Sequence, residues 1–274
     1  MSDRVTTTIT DGVADVRMIR ADKRNALDND MFQALVDAGE ALKDQRGLRA
    51  VVLSGEGASF CAGLDFGSFQ AMAGGPPPTE EEAAERRRRG PSAIEEGRIT
   101  HRAQQACWVW QEIPVPVIAA VHGHALGGGI QLALAADIRI VHPATQLSVR
   151  ETYWGLVPDM TGTLTLSQLV RADILKDLVF SARIFTGTEA YEIGVATRLS
   201  VTPYDDALAM ARELAAMNPD AMRGAKALIN GLLHEKAAPQ FEQERRIIAS
   251  LGGTANQAET VRANFEKRPA VYTD

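Results

Sequence analysis

Cysteine is scarce in this chain: Cys61 and Cys107 are the only two among 274 residues. Two thiols so placed make neither a disulfide framework nor a metal-ligand spacing, which points to a reducing compartment. No group of His, Cys and carboxylates sits at ligand spacing, so no metal is expected. No stretch approaches the roughly 18–20 apolar residues of a membrane span. The opening MSDRVTTTIT has neither the basic end nor the apolar core of a signal peptide. A soluble, cytoplasmic protein with no membrane partner is the expectation. Basic excess is missing too: 29 Lys and Arg against 35 Asp and Glu leave a net charge of −6, which argues against a general polyanion binder. The short run Arg86–Arg89 has acidic neighbours at helical spacing, Glu82 and Glu85, and no interleaved aromatics for stacking bases. No nucleic-acid partner is expected.

What the chain does have is apolar material, 45% of it, in a recurring order. VADVRMI (13–19) alternates as a half-buried strand does. MFQALVDAGEAL (31–42) has helical spacing, with Asp28 or Asn29 available as N-cap. LRAVVLSG (48–55), PVIAAVHG (116–123) and DIRIVH (137–142) read as further strands, two of them stopping at glycine. Short strands alternating with helices predict an α/β layered domain over residues 1–202. Gly/Pro breakers and charge runs across 67–100 predict a surface excursion. From residue 203 the chain reads as wholly helical, three amphipathic segments separated by Asn-Pro and Ala-Ala-Pro breaks. Their apolar faces need the main domain or a second subunit as cover.

Two stretches share a design of apolar strand, small-residue turn and bare backbone: VVLSGEGASFCAGLDF (51–66) and VIAAVHGHALGGGIQ (117–131). Glycine lets a ligand approach the main chain and leaves amide N–H groups unobstructed. One N–H from each stretch, converging, would form an oxyanion hole for an acyl enolate, each donor worth about 3–4 kcal/mol. The plainer alternative is a pair of tight turns with close helix–strand packing.

RADKRNALDNDM (20–31), SFCAGLDF (59–66), PVIAAVHGHALGGGIQLALAADIRI (116–140) and ETYWGLVPDMTGT (151–163) resemble the successive signatures of the crotonase superfamily, the enoyl-CoA hydratase and isomerase group. The resemblance continues through SARIFTGTEAYEIGVATRL (181–199) to FEKRPAVY (265–272). It implies an α/β fold, a crotonase-type spiral of ββα units with a C-terminal helical trimerisation region over 203–274. It also implies acyl-CoA thioester substrates, no metal or redox cofactor, and a homotrimer or dimer of trimers. The family's oxyanion donors match the backbone N–H groups of Leu64 and Gly128. Asn25, Ala26 and Leu27 match an element lying along coenzyme A, with Lys23 and Arg24 near its phosphates. Ala62, Gly63, Asp65, Phe66 and Gly127 match further substrate-binding positions. A proline usual in the first signature is Ala21 here.

The acid–base positions discriminate within the family. Its hydratases carry two glutamates; the second matches Glu151, but the first is Gln131. An amide orients a water or a thioester yet cannot accept and return a proton near neutral pH. One carboxylate suffices to shift a double bond, so the expected activity is isomerisation of an enoyl- or dienoyl-CoA. The alternatives are a hydratase using Glu151 with a water held by Gln131, and a weakly active CoA-thioester- or RNA-binding protein. Asp159 stands eight residues after Glu151, as in the family's dienoyl-CoA isomerase branch, although that branch also has an acid where Gln131 stands. Asp159 reads equally as catalytic acid or as N-cap of the helix MTGTLTLSQL. His122, His124, Cys61, Trp108, Trp110 and Trp154 read as packing or pocket-wall residues.

Overall fold

The structure, a computed structural model, describes residues 4–67, 93–94 and 97–273. The Glu82–Arg86 and Glu85–Arg89 pairs and the Arg86–Arg89 run lie outside the described residues. A hairpin opens the chain, β1 (Val5–Thr10) and β2 (Val13–Met18). Asp11 and Gly12 join them with positive φ at both, 50° and 80°, the conformation a two-residue hairpin turn requires. Alternation alone begins the sheet at residue 13; β1, mostly exposed threonines, carries no buried face to mark it.

Helix α1 (Asn29–Lys43) starts where Asp28 accepts the Met31 N–H at 2.8 Å, which selects Asp28 over Asn29 as cap. Then follow β3 (Ala50–Gly55), α2 (Arg102–Glu112), β4 (Val117–Val121), β5 (His124–Leu126), α3 (Gly128–Leu134), β6 (Ile138–Val141) and β7 (Gln146–Ser148). A 3-10 turn at Thr152–Trp154, like one at Ala21–Lys23 before α1, precedes α4 (Gly162–Ser167) and α5 (Ala172–Ser181). After β8 (Phe185–Thr186), α6 (Gly187–Glu192) and β9 (Arg198–Leu199), the chain is helical: α7 (Pro203–Ala215), α8 (Pro219–Leu251) and α9 (Ala255–Glu266).

Strands β1-β2-β3-β4-β6-β9 form one sheet, parallel from β2 onward. A small second sheet takes β5-β7-β8. Successive units therefore place one strand in the large sheet, one in the small sheet and then a helix: β4, β5, α3, then β6, β7, α4. Cys61, bridging Ala125, enters the small sheet in the same way after β3. The β4 residues are all buried, as in a parallel strand covered on both faces. Val52, Ile118 and Ile140 face Ala207 and Met210 of α7 on one side. Val51, Leu53 and Ala119 join the larger core, with Leu35 of α1 and Trp110 of α2, on the other. Of the all-helical tail, α7 thus belongs to the sheet's cover.

The tail differs from expectation at its second break. Pro239 lies inside α8, which runs unbroken for 33 residues. Proline removes a helical N–H and crowds the carbonyl four residues back. Packing outweighs that here: Ala237 and Phe241, on either side of Pro239, are buried against Trp108 of α2 and Leu164 of α4.

Candidate active site

Two main-chain walls meet where the glycine-lined stretches touch. Asn25, buried, holds the first: its side chain donates to the carbonyls of Glu56 and Ser59 and accepts the Arg20 N–H. Cys61 N–H then donates to His124 O at 2.9 Å, and Leu27 N–H to Gly63 O at 2.8 Å. Gly63 has φ +89°, and a Cβ there would lie 2.5 Å from Leu126 O. Asp65 N–H donates to Leu27 O. Among the described residues, no acceptor takes the Leu64 N–H between these bonded groups.

The second wall turns into α3 at Gly127, whose φ of 53° with ψ of −120° is accessible essentially to glycine alone. A Cβ on Gly128 would stand 2.7 Å from Leu27 Cδ1, and one on Gly129 would stand 2.2 Å from Cys61 O. Gly128 N lies 3.8 Å from the Cβ position of Gly63, so the walls converge. Its N–H too has no acceptor among the described residues.

Side chains form the third wall. Gln131 is buried on the first turn of α3. Its Oε1 accepts the N–H groups of Met160 (3.0 Å) and Gly162 (2.9 Å), and its Nε2 donates to Glu151 Oε1 at 2.5 Å. The two backbone donors fix which end of the amide carries oxygen. Glu151, 9% exposed, keeps its other oxygen, Oε2, buried with no protein partner. Burial pushes its carboxyl up to about 7, with the Glu244 charge adding to the rise and the Gln131 hydrogen bond opposing it. Asp159 is pushed up to about 8, first by desolvation and then by the charges of Glu151 and Glu244. Near neutral pH the first is poised between base and acid, and the second holds its proton.

A family model described as enoyl-CoA hydratase/isomerase matches residues 8–274. The chain belongs to the enoyl-CoA hydratase/isomerase family. It is 30% identical to the mouse mitochondrial methylglutaconyl-CoA hydratase over 268 residues, covering 95% of this chain and 79% of that protein. It is equally similar, at 30%, to the mouse mitochondrial enoyl-CoA hydratase domain-containing protein 2, covering 94% and 83%. Among solved structures, an enoyl-CoA hydratase/isomerase from Pseudoalteromonas atlantica superposes with a TM-score of 0.84 at 26% identity, covering 99% of this chain and 100% of the other. Enoyl-CoA hydratase from Bacillus anthracis gives 0.71 at 27% identity, with 98% and 99% covered. The mixed α/β architecture with a helical C-terminal region is that of crotonase-type structures.

Within this family fold, the remaining residues singled out above take varied surroundings. Lys23 and Arg24 are exposed on the loop before α1, Ala26 is buried, and Ala62 is half-buried. The Asp65 carboxylate accepts from Arg20 at 2.8 Å and from Gly67 N–H at 2.9 Å, so it ties its own loop. Phe66 is 63% exposed and meets Trp154 and Phe265 edge-on, each with centroids 6.1 Å away. The N-cap reading of Asp159 is corrected: α4 begins at Gly162 behind Thr161, two residues further on. His124 Nδ1 lies 2.8 Å from Ser59 Oγ and His122 Nε2 2.9 Å from Gly57 O, both packing contacts. Burial pushes the Cys61 thiol up to about 12, leaving no thiolate. No group of three or more metal-binding side chains is found among the described residues, and no described helix is long and apolar enough to cross a membrane.

Sequence reasoning missed Glu244 and Phe265. Glu244 carried a signal: it continues the buried Ala237–Phe241 stripe of α8 at i+4 and i+7, where an apolar residue belongs.

Proposed function

We propose that this protein shifts a double bond in an enoyl- or dienoyl-CoA thioester, with Glu151 as proton carrier. The observation that carries the reading is the environment of Glu151: a buried carboxylate with one oxygen held by an amide and the other unpartnered. The thioester oxygen accepts from the N–H groups of Leu64 and Gly128. Glu151 removes a proton from C2 of a 3-enoyl thioester. The electron pair spreads over the dienolate, whose oxygen the two N–H groups stabilise. Glu151 returns the proton to C4, leaving the double bond between C2 and C3 and the carboxylate as it began. In a 3,5-dienoyl thioester, protonated Asp159 gives its proton to C6 while Glu151 keeps the one from C2, leaving a 2,4-dienoyl thioester. Exchange with solvent after product release takes the proton from Glu151 and restores one to Asp159.

Hydration is the second reading, and the names of the relatives favour it. Against it stands Gln131: its oxygen is filled by two backbone donors and one N–H is given to Glu151, so a single N–H remains to hold a water. Offering purified protein 2-enoyl, 3-enoyl and 3,5-dienoyl thioesters, with products identified by mass and ultraviolet spectra, separates the two. Isomerisation without hydration is expected; fast hydration of a 2-enoyl thioester would overturn the reading.

Lys23 and Arg24 are proposed to meet the phosphates of coenzyme A, and the activity to survive chelators. A homotrimer or a dimer of trimers is proposed from Leu228, Ile229 and Leu232 of α8, all more than two-thirds exposed. A monomer by light scattering at micromolar concentration would contradict this. The buried free thiols Cys61 and Cys107 suit a reducing compartment, here proposed to be the cytoplasm. Imaging of the tagged protein in its own cells tests this, and recovery in an organelle would refute it.

A further inference from the structure

A carboxylate buried in an apolar stripe is costly unless hydrogen bonds compensate it. Glu244, 3% exposed, sits on the face of α8 that packs through Phe241 against Trp108 and Leu164. A leucine would continue that stripe. The glutamate instead accepts three hydrogen bonds from residues 81 to 140 positions away. Its Oε2 takes the Thr161 N–H and Gln104 Nε2, each at 3.1 Å, and its Oε1 takes the Thr163 hydroxyl at 2.6 Å.

Two of those bonds, from Thr161 and Thr163, come from the turn that holds Gln131 and the helix start behind it, and the third comes from Gln104 of α2. Three successive backbone N–H groups fan out from the turn: Met160 and Gly162 donate to Gln131 Oε1, and Thr161 between them donates to Glu244. Thr161 has φ 72°, a left-handed conformation that a β-branched residue adopts only when its surroundings impose it. The chain of contacts thus runs from Glu244 through the turn to the Gln131 amide and on to Glu151.

We propose that Glu244 is a positioning residue for the proton transfer, gripping the 160–162 turn from behind and thereby setting the Gln131 amide against the Glu151 carboxylate. The proposal rests on the reading of Glu151 as proton carrier. Burial pushes the Glu244 carboxyl up while the hydrogen bonds from Thr163, Gln104 and Thr161 hold it down. Ionised, it faces Glu151 and Asp159 as a like charge, which favours the protonated forms of both. Among the described residues, no cation pairs with Glu244 from the surrounding elements. On the α2 side, burial lowers the His101 imidazole to about 4 and holds the Cys107 thiol well above its usual range, so both are neutral. Arg102 bonds outward to Asn29, and Arg245, beside Glu244, is paired with Glu242.

The test uses the full chain and a 3-enoyl-CoA thioester, with kcat and KM measured across pH. Glu244→Gln keeps the size of the side chain. Its amide oxygen accepts the Thr161 N–H and its NH2 donates to Thr163 Oγ, so mainly the charge is lost. The acid limb of the pH profile, set by Glu151, should move to lower pH, with the melting temperature unchanged. Glu244→Ala releases the turn and should lower kcat about 10–100-fold with little change in KM. A Glu244→Gln profile coincident with wild type, together with kcat of Glu244→Ala within about twofold of wild type, would overturn the proposal. Should Glu244→Ala not fold, the Glu244→Gln profile decides alone. Glu151→Gln separates the two levels: if it stays active, the reading of Glu151 fails; if it is inactive while both Glu244 variants behave as wild type, only this inference fails.

Discussion

The walls at 59–66 and 123–129 and the wall at 151–163 face one another across the site, yet they are made by different means. The first two are main chain. Gly123 stands where a Cβ would be 1.9 Å from Ala58 O, and Gly129 where it would be 2.2 Å from Cys61 O. These are backbone atoms that cannot swing aside. The third wall is made of side chains from distant parts of the chain: Gln131 and Glu244 accept hydrogen bonds from one turn, and Gln131 in turn donates to Glu151. The main-chain half tolerates no added atom, whereas the side-chain half tolerates no change in charge or hydrogen-bonding type. The former sets shape; the latter sets the proton affinity of Glu151.

Substitutions should separate the halves by what they damage. The largest effect is expected at Glu151→Gln, which keeps shape and removes the carboxylate proposed to carry the proton. Turnover should fall about 10²–10⁴-fold while thioester binding persists. Comparing kcat with ligand affinity from calorimetry checks this, and a parallel loss of affinity would blur the distinction drawn here. Gly129→Ala should do the reverse, destabilising the fold by about 1–3 kcal/mol or more, because Cys61 O must move. Its counterpart is Gly224→Ala on α8, where a Cβ meets nothing within 4 Å; that change should stabilise by about 0.5–1 kcal/mol. Urea unfolding of both variants tests the pair, and equal effects would remove the main-chain argument.

Gln131→Glu sharpens the side-chain half. Met160 and Gly162 already point N–H groups at one oxygen of the new carboxylate, and its other oxygen faces Glu151 Oε1. Two carboxyls at that distance cannot both ionise readily. The acid limb of the isomerase profile should therefore move to higher pH, and hydration of 2-enoyl thioesters should rise as a second proton-transfer group appears. An unmoved limb would mean that Glu151 is not the titrating group.

Asp159→Asn should give the smallest effect, on stability and its pH dependence. The folded-state pKa of Asp159 is raised from 3.8 to about 8, so between those values the native state binds the extra proton. Its contribution to stability is present at low pH and is lost as pH rises through about 8. The variant should exceed wild type in melting temperature at both pH 5 and pH 9, and by at least about 2–4 °C more at pH 9 than at pH 5. Differential scanning calorimetry at the two pH values is the measurement; a lower melting temperature at pH 9 would place Asp159 in a supporting hydrogen bond instead.

The alternating strands and capped helices were legible because burial writes a local period into the chain, as at Val13–Met18 and at Asp28 before α1. Glycine runs at 63 and 127–129 were legible for a similar reason, since a missing side chain is visible without knowing its neighbours. Hairpin strand β1 was not, because its threonines are mostly exposed. Nor was the continuity of α8 through Pro239, which depends on Phe241 finding Trp108 more than a hundred residues earlier.

The sequence by itself determined which groups are available: bare backbone at two turns, a carboxylate at 151 and an amide at 131. Only the tertiary structure decided what those groups are. Burial raised Glu151 and Asp159, two backbone donors fixed the orientation of Gln131, and Glu244 arrived from a helix 83 positions beyond the turn it holds. Proton affinity and amide orientation depend on the local dielectric and on partners in space, and neither is written in the residues adjacent in the chain.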